Sequence, residues 1–139
     1  MENTDLAFLA LVCWREARGE PFLGKVAVVH SILNRVKRPC WWGDTVLNVV
    51  GKREQYSALT HPGDANLIKW PRSEDPSWQE CLKAAELVLA GAIPNPVPGA
   101  DSYWDISIPA PYWATPENFV ASIGKLRFHD VDQDHEVVG

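Results

Sequence analysis

The sequence predicts a helix-rich α+β fold in a single domain, and three observations lead there. Three long segments carry apolar residues at helical spacing, each bounded by residues that start or stop helices. After Gly99 the composition turns aromatic and β-branched, divided at Gly124, as a small β-hairpin region requires. The chain has 139 residues, 46% hydrophobic and 22% charged. That is enough to bury a core without disulfide or metal support, and it excludes disorder. No internal repeat marks a second domain, so 1–139 reads as one unit, with 130–139 as a flexible acidic tail.

Thr4 is placed to cap the first helix, in which Leu6, Leu9, Ala10, Cys13 and Ala17 form a stripe that stops at Gly19. Pro21 opens a second helix with a stripe of Phe22, Val26, Val29, Leu33 and Val36, and Pro39 ends it. Arg18-Gly19-Glu20 joins the two at a tight corner. Asp44 is expected to cap a short helix from Thr45 to Val50. Positions 52–73 read as a polar loop around His61-Pro62-Gly63-Asp64, with a short strand at Gln55 to Leu59. Asp75-Pro76 starts a third long helix, with Trp78, Leu82, Ala85 and Leu89 on one face and Gly91 as its stop. Pro94, Pro96 and Pro98 then make a stiff connector into the closing segment, Tyr103 to Val131.

Net charge is −5, with Lys and Arg scattered rather than clustered, which argues against a nucleic-acid partner. Cys13, Cys40 and Cys81 are odd in number and widely spaced, so neither a disulfide framework nor a metal site is expected, and no cofactor motif occurs. The longest apolar run, Leu6 to Trp14, is too short for stable membrane insertion. The acidic opening Met-Glu-Asn-Thr-Asp does not read as an export signal. Synthesis in the cytoplasm, with any outside action following release, is the expectation. Seven tryptophans stand against three tyrosines and four phenylalanines, which points to an unusual core or to a surface that stacks on flat ligands.

The densest chemical constellation is Trp14-Arg15-Glu16-Ala17-Arg18-Gly19-Glu20-Pro21. Glu16 falls in the last turn of an apolar helix, where the helix dipole disfavours a negative charge. A carboxylic acid pressed against apolar and indole surface is destabilised as an anion, so its pKa rises and it suits general-acid work. A salt bridge to Arg15 or Arg18 is the competing reading. Glu20 is expected to serve the free N–H groups of the second helix. His129 to His135 resembles the start of a calcium loop, but His135 stands where glycine is needed, and a solvated tail reads better. Ser31, Ser57 and Ser102 lack the context of a nucleophile.

Glu16-Ala17-Arg18-Gly19-Glu20-Pro21, Gly24-Lys25-Val26-Ala27-Val28 and Leu33-Asn34-Arg35-Val36 together resemble the opening of the SleB-type cell-wall hydrolase family. Gln55-Tyr56-Ser57, the Ala84-Ala85 to Gly91 helix with Pro94-Asn95-Pro96, and Gly99-Ala100, Tyr103, Trp113, Ile123-Gly124 and Phe128 follow in the family's order. The resemblance spans 6–129. It implies a compact lysozyme-like fold and cleavage of the β-1,4 bond between N-acetylmuramic acid and N-acetylglucosamine. It puts the catalytic glutamate on Glu16 and substrate contacts on Gln55, Tyr56, Ser57 and Tyr103. Trp104 and Trp113 lie in the same closing segment, where indole faces suit sugar rings. Trp78 is expected in the core, Trp14 on another side of the helix from Glu16, and Trp41, Trp42 and Trp70 as packed loop anchors.

Two departures from the family pattern stand out. Arg15 replaces a small residue before the glutamate, and Ala58-Leu59 replaces Pro-Val after the serine. With one convincing carboxylate, and with what the resemblance implies, the expected chemistry is lytic transglycosylation, in which the muramyl 6-hydroxyl attacks its own anomeric carbon. A hydrolytic muramidase would need a second carboxylate, for which Glu20, Asp44 and Asp64 are available. A non-catalytic glycan-binding or virion module is the alternative outside enzymes. The expected partner is the peptidoglycan glycan strand, acted on by a monomer, in the setting of a phage or prophage endolysin.

Overall fold

The structure, a computed structural model, describes residues 3–38, 42–50 and 70–132. Among these residues, four α-helices, α1 (Asn3–Ala17), α2 (Phe22–Lys37), α3 (Val46–Val50) and α4 (Pro76–Leu89), precede three strands, β1 (Ser102–Asp105), β2 (Phe119–Ile123) and β3 (Leu126–His129). The predicted strand at Gln55 to Leu59 lies outside the described residues. Among those described, no helix is long and apolar enough to cross a membrane.

α1 packs against α2, α3 and α4, so its apolar residues are covered from several sides. Leu9, Ala10, Cys13 and Ala17 of the expected stripe are buried, and Val12 and Trp14 are buried with them. The Trp14 indole N–H finds an acceptor in Asp75 Oδ2 at 3.2 Å. The same carboxylate caps α4, its Oδ1 accepting from the Ser77 N–H at 2.8 Å. One side chain thus ends a loop, starts a helix and satisfies a core indole. Thr45 rather than Asp44 caps α3, its hydroxyl accepting from the Asn48 N–H at 3.1 Å, while Asp44 is exposed.

The expectation of an amphipathic α2 is corrected by its surroundings. Every residue from Gly24 to Arg35 is buried, because α1, α3, α4 and β2 all pack on this helix. Burial obliges its polar side chains to find partners, and they find backbone carbonyls. Asn34 Nδ2 donates to Val97 O (2.9 Å) and Ala100 O (2.8 Å), and Arg35 Nε to Asp101 O (2.6 Å). Arg38 Nη2 reaches Gly99 O at 2.7 Å. The proline-rich connector is therefore fastened along α2 by side chains, beyond the stiffness that its prolines supply.

The sheet has the order β1-β3-β2, all antiparallel. Gly124, with φ +56°, turns β2 into β3 as expected, and β1 adds the third strand. Glu20 stands just before Pro21, the N-cap of α2, but its carboxylate bonds the hairpin rather than the helix start that the sequence suggested. Its Oε1 accepts from the Lys125 N–H at 3.0 Å, and a Cβ at Gly124 would collide with that oxygen. The corner between α1 and α2 is thereby tied to the hairpin turn. At the other end, Asp101 accepts the N–H groups of Val131 and Asp132, both at 2.9 Å, so the acidic tail is held through 132.

Two buried histidines give the fold a pH dependence. Burial lowers the pKa of His30, with Lys37 adding to it against the Ile93 carbonyl. Burial also lowers that of His129, against the Thr115 carbonyl and Asp101. Both are neutral in the fold, so the unfolded chain takes up protons first as pH falls below the ordinary value of 6.5. Stability is whole above that pH and declines below it, by at most about 1.4 kcal/mol per pH unit per histidine. The urea midpoint is expected to be lower at pH 5.5 than at pH 7.5, and a flat or rising midpoint contradicts the assignment.

Candidate active site

Glu16 is half-buried in the last turn of α1. The helix closes directly behind it, with the Glu20 N–H donating to Ala17 O at 2.9 Å. Arg18 Nη1 donates to the carbonyls of Trp14 (3.1 Å) and Arg15 (3.3 Å). A cation thus serves the free carbonyls at the negative helix end, and its guanidinium lies 4.5 Å from the centre of the Trp14 ring. Arg15 is buried, with its guanidinium 4.6 Å over the Trp70 ring. Trp70 itself is 70% exposed, so its place as a packed loop anchor is not what the structure shows.

β1 delivers the second group. Tyr103 lies 87 residues further along the chain, and its hydroxyl donates to Glu16 Oε1. The tyrosine is braced from behind by Phe128, ring centres 5.6 Å apart, and Phe128 is fully buried. The strand pairing sets Tyr103 opposite Phe128 and Trp104 opposite Arg127. Successive residues on a strand point to opposite faces. Tyr103 therefore faces the helices and Glu16, while Trp104 faces away. The grouping of Trp104 with Tyr103 at one cleft is corrected on this geometry, and the strand's period of two is the signal that would have separated them.

On its own face, Trp104 donates its indole N–H to His129 Nε2 at 3.0 Å. His129 Nδ1 sits 2.6 Å from Asn118 Oδ1. With Nε2 accepting, Nδ1 carries the proton. Trp113 meets the His129 ring edge-on at 5.7 Å. Sequence reasoning placed His129 only in a calcium-loop pattern; the structure makes it the anchor of Trp104. Among the described residues, no group of His, Cys, Asp and Glu side chains could hold a metal ion. Gln55, Tyr56 and Ser57 lie outside the described residues.

Other reactive groups near Glu16 are engaged or inert. Cys13, one turn earlier on α1, is fully buried, and burial with Cys81 beside it pushes its thiol well above the ordinary range. A protonated, buried thiol is a poor nucleophile. The Glu20 and Asp101 carboxylates are both buried and accept backbone N–H groups, as described above. Among the described residues, what the geometry offers is a half-buried carboxyl group with one oxygen accepting from a phenol, an arrangement fitted to handing a proton over and taking it back.

A family model described as cell wall hydrolase matches residues 19–129. The match begins three residues beyond Glu16 and does not include it. The spore cortex-lytic enzyme of Halalkalibacterium halodurans is 37% identical over 57 residues, which is 41% of this chain and 17% of that protein. The chain thus spans a minor part of its curated relative. Two solved structures are similar over 93% of this chain at 26% identity. The catalytic domain of the germination-specific lytic transglycosylase SleB from Bacillus anthracis has a TM-score of 0.70 with 96% of that chain covered. The catalytic domain of the Bacillus cereus SleB protein has a TM-score of 0.69 with 91% covered. The lysozyme-like, helix-rich fold with its small sheet agrees with these matches.

Proposed function

The chain belongs to the cell wall hydrolase family, and from that premise we propose that it is a lytic transglycosylase cleaving the β-1,4 bond between N-acetylmuramic acid and N-acetylglucosamine. The observation that carries the reading is the Glu16 carboxyl group held by the Tyr103 hydroxyl at the end of α1. The likeness to the SleB lytic transglycosylase domain supports it.

In the first step Glu16 protonates the bridging oxygen, the bond from that oxygen to the muramyl anomeric carbon breaks, and positive charge develops on the sugar. The Tyr103 hydroxyl, donating to the carboxylate that remains, stabilises it at the moment it forms. In the second step the muramyl 6-hydroxyl oxygen attacks the anomeric carbon and gives its proton to Glu16. The products are a free N-acetylglucosamine end and a 1,6-anhydromuramyl end, with no water consumed. One carboxyl group suffices for both steps, in keeping with the engagement of Glu20 and Asp101 elsewhere. The setting we propose, a phage or prophage endolysin reaching the wall after release, has the sequence alone behind it.

Mass spectrometry of purified peptidoglycan digested with the protein tests the reaction. Anhydromuramyl ends, 18 mass units lighter than reducing ends by the loss of one water (about 18 Da), are the expected product. Reducing muramic acid without the anhydro form would make the protein a muramidase.

A further inference from the structure

The face of the sheet turned away from Glu16 carries a pocket of about 370 Å³, within the range of small-ligand sites. Trp104, Phe119, His129 and Arg127 wall it, with Ala114 and Pro116 at its edge. Its polar ring atoms are already engaged: the Trp104 N–H by His129, and His129 Nδ1 by Asn118. What the aromatic residues present is therefore ring surface. Phe119, 46% exposed, adds to this on β2, and its ring centre is 5.5 Å from that of His129. The cation in the pocket wall is Arg127, of which Nη1 is taken by the carbonyls of Gly124 (2.9 Å) and Leu126 (3.0 Å). Its remaining N–H groups are available for an anion.

Flat apolar surface beside one guanidinium matches a sugar ring that bears a carboxylate. We propose that this pocket is a second glycan-binding site for strands whose stem peptides have been removed, taking an N-acetylated pyranose against the Trp104–Phe119 rings and the free muramyl lactyl carboxylate at Arg127. It rests on the reading that peptidoglycan is the substrate. A strand held on this face while another is cut at Glu16 keeps the enzyme on an insoluble wall through two contacts rather than one.

The test follows the Trp104 indole N–H resonance, assigned by its loss in Trp104→Phe, during two titrations of the full chain. One uses chitotetraose, which has no carboxylate. The other uses a tetrasaccharide of alternating N-acetylglucosamine and N-acetylmuramic acid with free lactyl groups. Both are expected to move the resonance, with the carboxylate-bearing probe about twofold to fivefold tighter, as befits one exposed ionic contact. Arg127→Gln is expected to erase that difference, and Phe119→Ser to weaken both probes by about fivefold or more. The same spectra show whether each variant is folded. A Trp104 resonance unmoved by either probe, or variants that titrate as the wild type does, overturns the site. If walls are digested while Trp104 stays unmoved, the site fails and the catalytic reading stands. If Trp104 responds as described while no wall is cleaved, the catalytic reading fails and the site stands.

Discussion

Glu16→Gln is expected to lower wall cleavage by about 10²–10⁴-fold, the range in which a general acid contributes. The substitution keeps the shape of the side chain and an oxygen that can accept from the Tyr103 hydroxyl, but it removes the proton that the leaving oxygen needs. Binding to purified sacculi and the thermal midpoint should stay near the wild-type values, since Glu16 is half-buried at a helix end rather than part of the packed core. Turbidity clearance, measured beside sedimentation binding, checks both halves. The same role sets the sign of the pH profile. Glu16 must enter the first step protonated, so kcat/KM falls on the alkaline side as that proton is lost. A profile flat to well above neutral, or a Glu16→Gln protein that still clears walls, rejects the general-acid role. A wild-type protein that binds walls and never clears them makes this a glycan-binding module.

The helices were legible because each is written twice in the sequence, in the spacing of its apolar residues and in its boundaries. Asp75-Pro76 and Gly91 bracket α4, and Gly19 follows the end of α1. The sheet was partly legible, since Gly124 announces the hairpin, whereas the pairing of β1 with β3 joins segments about 25 residues apart. Side-chain partners were harder to read. Glu20 beside Pro21 suggests a local role at the helix start, but its carboxylate serves Lys125, 105 residues away. The apolar pattern of α2 selects a stripe, yet Asn34 and Arg35 are buried because the connector lays its carbonyls over them. Of the candidate site, Glu16 was visible as a carboxylate set against the helix dipole. Tyr103 entered only through resemblance, and its place was fixed by strand parity and by Phe128 behind it. Trp104 shows the converse: it neighbours Tyr103 in sequence and faces the other way.

Asn34→Leu is expected to be the most damaging change away from the carboxyl group. Its amide donates to Val97 O and Ala100 O, and its Oδ1 accepts from Asn95 Nδ2 at 3.0 Å. Leucine fills a similar volume and removes all three bonds: Ala100 O and Asn95 Nδ2 lose their partner, and Val97 O keeps only the Ala100 N–H at 3.0 Å. Each group left unpaired costs about 1–3 kcal/mol, so the two together cost about 2–6 kcal/mol and the melting midpoint should drop by roughly 6–24 °C for a domain of this size. The consequence reaches the site through the chain that Asn34 restrains. Ala100 leads through Asp101 into β1, and β1 carries Tyr103 to Glu16. A shift of the connector therefore moves the phenol relative to the carboxyl group. At a temperature where wild type and variant are both folded, kcat should fall by about tenfold, since small displacements of catalytic groups carry penalties of that order or larger. Thermal unfolding and single-temperature kinetics read the two effects separately. A destabilisation under about 1 kcal/mol, below the lower bound for even one unmade buried bond, would show that α2 does not fasten the connector. A variant that is destabilised but turns over at the wild-type rate would show that β1 holds Tyr103 in place without the connector's help.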